Sequence, residues 1–278
     1  MPTASELIEE YLKDNEQLTE NSKISYRRNA GKYGQLNMDI ATFKEMRKVA
    51  EQGATPNSKA TIINVAIMLT KNRPQIFNRL TQYREELREQ IASDRKKKMI
   101  SLNEDLPSYE SLIQELDNQS GLNYLVNYLL IHNGLRNADL ELYYSKSKSP
   151  DDNSKNYIYK NPKTGEIILI INKYKTAGTY GKKTIIINNK RLAEEVAKLD
   201  LKDGDALFKL DGKPATSKTV AQRVRRMTIN KLSEGEVAKI IVKHMIDNKN
   251  FEELRRVSRS RGTSMETLLS SYNVYDDK

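Results

Sequence analysis

Apolar positions in residues 1–98 recur three and four apart, the spacing of helices with one buried face. Leu7, Ile8, Tyr11 and Leu12 mark a first helix over residues 5–14. Thr19 and Asn21 are N-cap types ahead of a segment through Tyr26 and Tyr33, and Ile40, Phe43, Met46 and Val49 predict a helix over 39–52. Thr55-Pro56-Asn57-Ser58 is a helix-start signature for an apolar stretch with Ile62, Ile63, Val65 and Met68, read as core. Pro74 opens a longer helix through Leu80, Tyr83 and Leu87 into the basic run Arg95-Lys96-Lys97-Lys98. Nothing in this stretch alternates as a strand does. Residues 1–98 therefore read as an all-helical domain and 99–107 as a linker.

The second domain, 108–278, also begins helical, over 109–116 and 122–130, with Leu125, Tyr128, Leu129, Leu130 and Ile131 as core. Gly134 then marks a turn into a new helix start. After a polar loop the character changes, and 157–160, 166–172 and 183–187 are rich in β-formers. Asn161-Pro162-Lys163-Thr164-Gly165 supplies one turn and residues 177–181 the next, which predicts a three-strand antiparallel sheet at about 156–188. Helices resume over 191–198, 217–230, 235–248, 251–259 and 264–272. The fold class is mainly α with a small antiparallel β-sheet.

Composition narrows what such a fold is for. The 278 residues carry 47 Lys and Arg against 37 Asp and Glu, a formal net charge of +10. The excess is concentrated: residues 155–249 hold 21 basic and 10 acidic residues, whereas 101–150 hold three and seven. Two basic regions around an acidic one suit contact with a phosphate backbone from two lobes. With no cysteine, disulfides, thiolate metal sites and cysteine nucleophiles are excluded. His132 and His244 are too few for a histidine-rich zinc site. No long apolar run occurs and the start of the chain is acidic, so a soluble intracellular protein is expected, in cytoplasm or nucleus, neither secreted nor membrane-bound. Phosphate-loop, dinucleotide, HExxH and GxSxG signatures are absent, and no metal or small-molecule cofactor is expected. Cations and tyrosines remain. With these alone a tyrosine hydroxyl can attack phosphorus while Arg and Lys neutralise the equatorial oxygens and a Lys protonates the leaving oxygen.

Four segments, in order, carry a resemblance to the tyrosine recombinases, the phage integrases and their relatives. Gly134-Leu135-Arg136-Asn137-Ala138-Asp139-Leu140 is similar to the family's G-[LM]-R-x-x-E-L box. Lys173-Tyr174-Lys175-Thr176, followed by Lys182-Lys183, falls where the family has its lysine hairpin. The H-x-x-R box is not matched: Leu232–Ile240 places Gly235 and Ala238 at its two positions, or Glu236 and Lys239 after a shift of one. Arg261-Gly262-Thr263-Ser264 is similar to G-H-S, with Thr263 in the histidine place, and Tyr272 stands nine residues beyond it, Tyr275 being the near alternative.

The resemblance implies an N-terminal helical, SAM-like core-binding domain at 1–98 and a catalytic domain at 108–278. It implies a site-specific recombinase or integrase acting through a 3′-phosphotyrosine, with Arg136 on the phosphate, Lys175 (or Lys173) as general acid, Lys239 as a weak second cation and Tyr272 as nucleophile. A lysine lacks the bidentate fork of an arginine, so the site reads as degenerate, and a recombinase-like DNA-binding factor without catalysis or a type IB topoisomerase are the alternatives. Double-stranded DNA is the expected partner, clamped by Arg27, Arg28 and Arg95, Lys96, Lys97, Lys98 from one lobe and Lys173, Lys182, Arg223, Arg225 and Arg226 from the other. Members of the family assemble as tetramers on DNA. Six residues after Tyr272 leave no swapped tail of the usual sort, which points to a monomer off DNA. The lysine-rich, cysteine-free composition resembles proteins of mobile elements and large DNA viruses.

Overall fold

The computed structural model describes residues 3–272, with the side chains of Arg95 and of residues 98–104 outside that description. The chain divides into two compact units, Met1–Ser101 and Leu102–Lys278, each with its own apolar core.

The first unit contains α1 (Ala4–Lys13), α2 (Glu20–Gly31), α3 (Phe43–Ala50) and α4 (Pro56–Leu69), and α5 (Pro74–Asp105) leads out of it. Thr3, Thr19, Thr42 and Thr55 start the first four, each side chain accepting from the amide three residues on. Each cap satisfies one of the donors that a helix start leaves over. The cap at Thr42, closed by Glu45, moves the start of α3 from the expected residue 39 to Phe43 and leaves Ile40 exposed. Helix α4 is apolar nearly all round and buries Ala60, Ile62, Ile63, Val65, Ala66 and Ile67. Tyr33, just past α2, is wholly buried, and its hydroxyl donates to the Ile62 carbonyl at 3.2 Å. The stretch 99–105, read as linker, is helical: no proline interrupts α5 before Pro107.

The second unit begins with α6 (Tyr109–Asp117) and α7 (Gly121–Asn133), then a 3-10 turn over Asn137–Leu140. Strands β1 (Leu142–Ser145), β2 (Asn156–Lys160) and β3 (Ile167–Ile171) precede a single helical turn, α8 (Ala177–Tyr180), and strand β4 (Lys183–Ile187). Helix α9 (Lys190–Lys198), a hairpin of β5 (Lys209–Leu210) and β6 (Lys213–Pro214), and α10 (Ser217–Met227) follow. The chain closes with α11 (Glu234–Asp247), α12 (Phe251–Arg261) and α13 (Met265–Tyr272).

The sheet differs from the expected one. It has four strands in the order β1-β2-β3-β4, and β1 runs parallel to β2, so the sheet is mixed. The three later strands pair antiparallel, with Leu169 of β3 between Ile158 and Ile185. Strand β1 is four residues of Leu-Tyr-Tyr-Ser, too short for alternation to reveal. Strand β3 is buried along its whole length: Ile167, Leu169 and Ile171 join the main core, and Ile168 and Ile170 pack with Tyr157 on the other face. Helix α7 supplies the centre of the unit through Leu125, Val126, Leu129 and Leu130.

Two helix ends set the geometry that follows. Gly134 closes α7 in the left-handed conformation, φ 60° and ψ 26°, and a Cβ there would stand 2.8 Å from Val257 of α12. Only glycine meets both demands at no steric cost. Helix α12, predicted to end at residue 259, runs on to Arg261 before Gly262 caps it. Gly134→Ala should destabilise the protein by about 1–3 kcal/mol, measured by chemical denaturation. A change within about 0.5 kcal/mol, the scatter of a neutral surface substitution, would show that the α7–α12 approach is not tight.

Candidate active site

The last three carbonyls of α12 and its cap face outward from a helix end, where no amide of the helix can reach them. Each accepts from a side chain of a different element. Lys183, at the start of β4, donates to the Ser260 carbonyl at 2.9 Å. Arg136, just past Gly134, donates to the Arg261 carbonyl at 2.5 Å. Thr176 donates to the Gly262 carbonyl at 2.6 Å. Two cations thus meet the negative end of a helix dipole, where positive charge is favoured.

Arg261 itself turns the other way and is 1% exposed. Its guanidinium donates to the Gly134 carbonyl at 2.9 Å, to Glu234 at 2.8 Å and to the Tyr272 hydroxyl oxygen at 2.9 Å. It also lies over the Tyr272 ring, 4.9 Å from its centroid. Its Nε is buried and makes no hydrogen bond, as do Oδ1 of Asn137, Oδ1 of Asp139 and Oγ of Ser260 nearby. Glu234, the first residue of α11, accepts from Arg261 with one oxygen and from the Asn137 amide with the other, at 2.8 Å. Asp139 is fully buried, accepts from the Arg136 amide at 3.1 Å, and burial pushes its carboxyl above the usual range.

Lys183 is the amine of this cluster. Its Nζ sits 3.4 Å from the centre of the Tyr174 ring. Burial lowers its pKa to about 8, with Arg136 and Arg261 pushing the same way and Asp139 opposing them. The hairpin that carries it is fixed from both sides. Tyr174 packs where a Cβ on left-handed Gly262 would fall, 2.5 Å away. Asn156, buried at the start of β2, accepts from the amides of Asn172 and Lys173 at 2.9 and 2.7 Å and donates to the Lys173 carbonyl at 2.9 Å.

Of the residues singled out in the sequence, the structure brings Arg136 and Tyr272 to one place, joined through Arg261. Lys175 and Lys173 are exposed on the hairpin, and Lys183 is the lysine that reaches the cluster. Ala238 is buried on α11. Glu236 closes the capping box with Ser233 at the start of that helix, and Lys239 is half-buried with Glu236 in its field. Thr263 lies in the α12 cap, its amide donating to Ser258 at 3.1 Å. Tyr275 lies outside the described residues.

Among the expected DNA-contacting residues, Arg225 and Arg226 are exposed on α10 and line an open groove with Gln222 and Lys231. Arg223 donates to the Lys209 carbonyl at 2.6 Å, and Lys182 is exposed. In the first unit Arg27 pairs with Glu9 at 2.6 Å, while Arg28, Lys96 and Lys97 are exposed. The side chains of Arg95 and Lys98 lie outside the described residues. Among the described residues no helix is long and apolar enough to cross a membrane, and no group of three or more acidic, His or Cys side chains is placed to hold a metal ion.

Arg261, Lys183 and Glu234 lie within the segments compared in the sequence, but none of them was assigned a role there. Arg261 continues the buried stripe Leu254, Val257, and Lys183 shares a strand phase with Ile185 and Ile187. A cation on an inward-facing phase is the signal that marks both.

No protein family matches the sequence, and no curated protein matches it. Among solved structures, a crystal structure of XerA recombinase is similar over 99% of this chain and 94% of that chain, at 12% identity and a TM-score of 0.38.

The Lys183 amine should titrate with a midpoint of about 8 in NMR of the reductively methylated protein. Asp139→Asn should move that midpoint further down, because it removes the charge that favours the ammonium. A midpoint at the ordinary lysine value, about 10.4, would place Lys183 outside the cluster.

Proposed function

We propose that the chain breaks and rejoins duplex DNA as a tyrosine recombinase does, with Tyr272 as nucleophile. The observation that carries this reading is the Arg261–Tyr272 hydrogen bond of 2.9 Å, made by a residue whose own carbonyl receives Arg136. A guanidinium that donates to a phenolic oxygen is placed to hold the charge left there as its proton departs.

In this reaction the Tyr272 oxygen attacks phosphorus and its proton passes to solvent. The bond to the 5′-oxygen breaks, and the DNA is held as a 3′-phosphotyrosine. Arg136 takes the non-bridging oxygens with its planar fork. Lys183, rather than the exposed Lys175, gives its proton to the leaving 5′-oxygen. A lowered pKa suits that task, since an acid works best when its pKa lies near the working pH. Rejoining reverses each transfer: a 5′-hydroxyl attacks, Lys183 recovers the proton and Tyr272 leaves. The exposed arginines of α10 and the lysines of the β3–β4 hairpin supply backbone contacts. Those contacts make binding weaken steeply as salt rises.

A nicked suicide duplex tests the chemistry. Wild type should accumulate a covalent DNA adduct that Tyr272→Phe abolishes, and Lys183→Ala should slow its formation by about 10²–10⁴-fold while Lys175→Ala leaves it within about threefold, roughly 0.65 kcal/mol. Adduct formation should fall as pH rises through about 8, because the acid must be protonated to act. A wild type that retards duplex DNA and never forms the adduct is instead a binding factor on this scaffold. Relaxation of supercoiled plasmid by a monomer would identify a type IB topoisomerase.

A further inference from the structure

The Glu234 carboxylate sits where an anion belongs. One oxygen takes the Arg261 guanidinium at 2.8 Å and the other takes the Asn137 amide at 2.8 Å, one residue from Arg136. A phosphate presents the same pair of acceptor oxygens to the same donors. Exposure divides the ion pair unequally: the Arg261 side chain is 1% exposed and Glu234 is 23% exposed. Glu234 is therefore the more accessible member of the pair. Arg261 also keeps a donor in reserve, its buried Nε without a partner.

We propose that Glu234 is the resting occupant of an anion seat formed by Arg261 and the Asn137 amide, and that a DNA phosphate takes its place. This rests on the reading of Tyr272 as nucleophile. With the carboxylate displaced, Arg261 becomes the second phosphate-binding cation of the site, entering from the C-terminal end of α12 and already bonded to the attacking oxygen. Until then Glu234 neutralises Arg261, and the second cation is withheld from any phosphate that does not compete for the seat.

The seat can be tested without DNA. Binding of inorganic phosphate to the full chain is measured by calorimetry in phosphate-free buffer, for wild type, Glu234→Gln and the double variant Glu234→Gln/Arg261→Lys. Glu234→Gln should bind phosphate about tenfold or more tighter than wild type, since a unit charge of the wrong sign is removed at contact distance. The double variant should lose that gain. On the nicked duplex, Glu234→Gln should form the covalent adduct faster than wild type. Phosphate should also raise the melting temperature of Glu234→Gln by more than it raises that of wild type, a readout that holds even where removal of the counter-ion weakens the fold. Equal phosphate affinity in wild type and Glu234→Gln, or a slowed adduct, would overturn the proposal and leave Glu234 as a residue that positions Arg261. Tighter phosphate binding that survives Arg261→Lys would place the anion elsewhere and overturn it too. Absence of any adduct from wild type would fail the Tyr272 reading alone, because the phosphate comparison still decides the seat.

Discussion

A helix that ends leaves its last carbonyls without amide partners, and in α12 those of Ser260 and Arg261 and that of the Gly262 cap receive Lys183, Arg136 and Thr176 from β4, the turn after α7 and the β3–β4 hairpin. Bonds from charged donors are worth about 1.5–3 kcal/mol each, and the dipole at a helix C-terminus favours cations by about 0.3–1 kcal/mol more. This terminus holds together a cluster that repulsion would otherwise spread. Arg136, Lys183 and Arg261 carry like charge in adjoining positions, and Asp139 and Glu234 oppose them. The lowered pKa of Lys183 records the balance: burial comes first, Asp139 opposes it, and the two arginines add to it.

The carbonyls organise side chains only because the backbone on either side is fixed. Gly134 and Gly262 both adopt left-handed conformations at helix ends, and each sits where a Cβ would collide, with Val257 in one case and Tyr174 in the other. The first lets α7 approach α12 closely enough for Arg261 to reach the Gly134 carbonyl. The second lets the Tyr174 ring lie against the α12 cap, with Lys183 over its face. Asn156 completes the frame from inside the sheet. Its amide group satisfies the Asn172 and Lys173 backbone where β3 ends, so the hairpin leaves the sheet along one path.

Much of this was legible in the sequence, and the rest was hidden for physical reasons. The helices announced themselves through apolar spacing and threonine caps, and the Gly134–Leu140 segment located Arg136 directly. Strand β1 did not, because its four residues pair in parallel with a strand that the chain reaches only after a polar loop. In the sequence Lys175 and Lys173, at the end of a strand, are the candidate acids, and Lys183 has no assigned role. Strand phase decides the matter: Lys183 shares the inward face of Ile187, and its amine is carried to the α12 terminus. Arg261 was read as a neighbour of its glycine. Its contact with Tyr272 bridges eleven residues and a left-handed cap, which no helical period describes.

Residue 238 is an alanine and residue 261 an arginine, and burial constrains both. Position 238 is buried on α11 by an alanine, and a guanidinium there would have to displace core atoms or turn away from them. The Arg261 guanidinium places its charge beside the Tyr272 hydroxyl, at the end of α12. A buried guanidinium cannot stand there alone, because removing the partner of a buried ion pair costs about 3–5 kcal/mol. The buried arginine at 261 therefore requires a carboxylate within reach, and α11 supplies one at its first residue, Glu234. Glu234 thus belongs to the cluster by electrostatic necessity, as the counter-ion of a guanidinium that the fold buries.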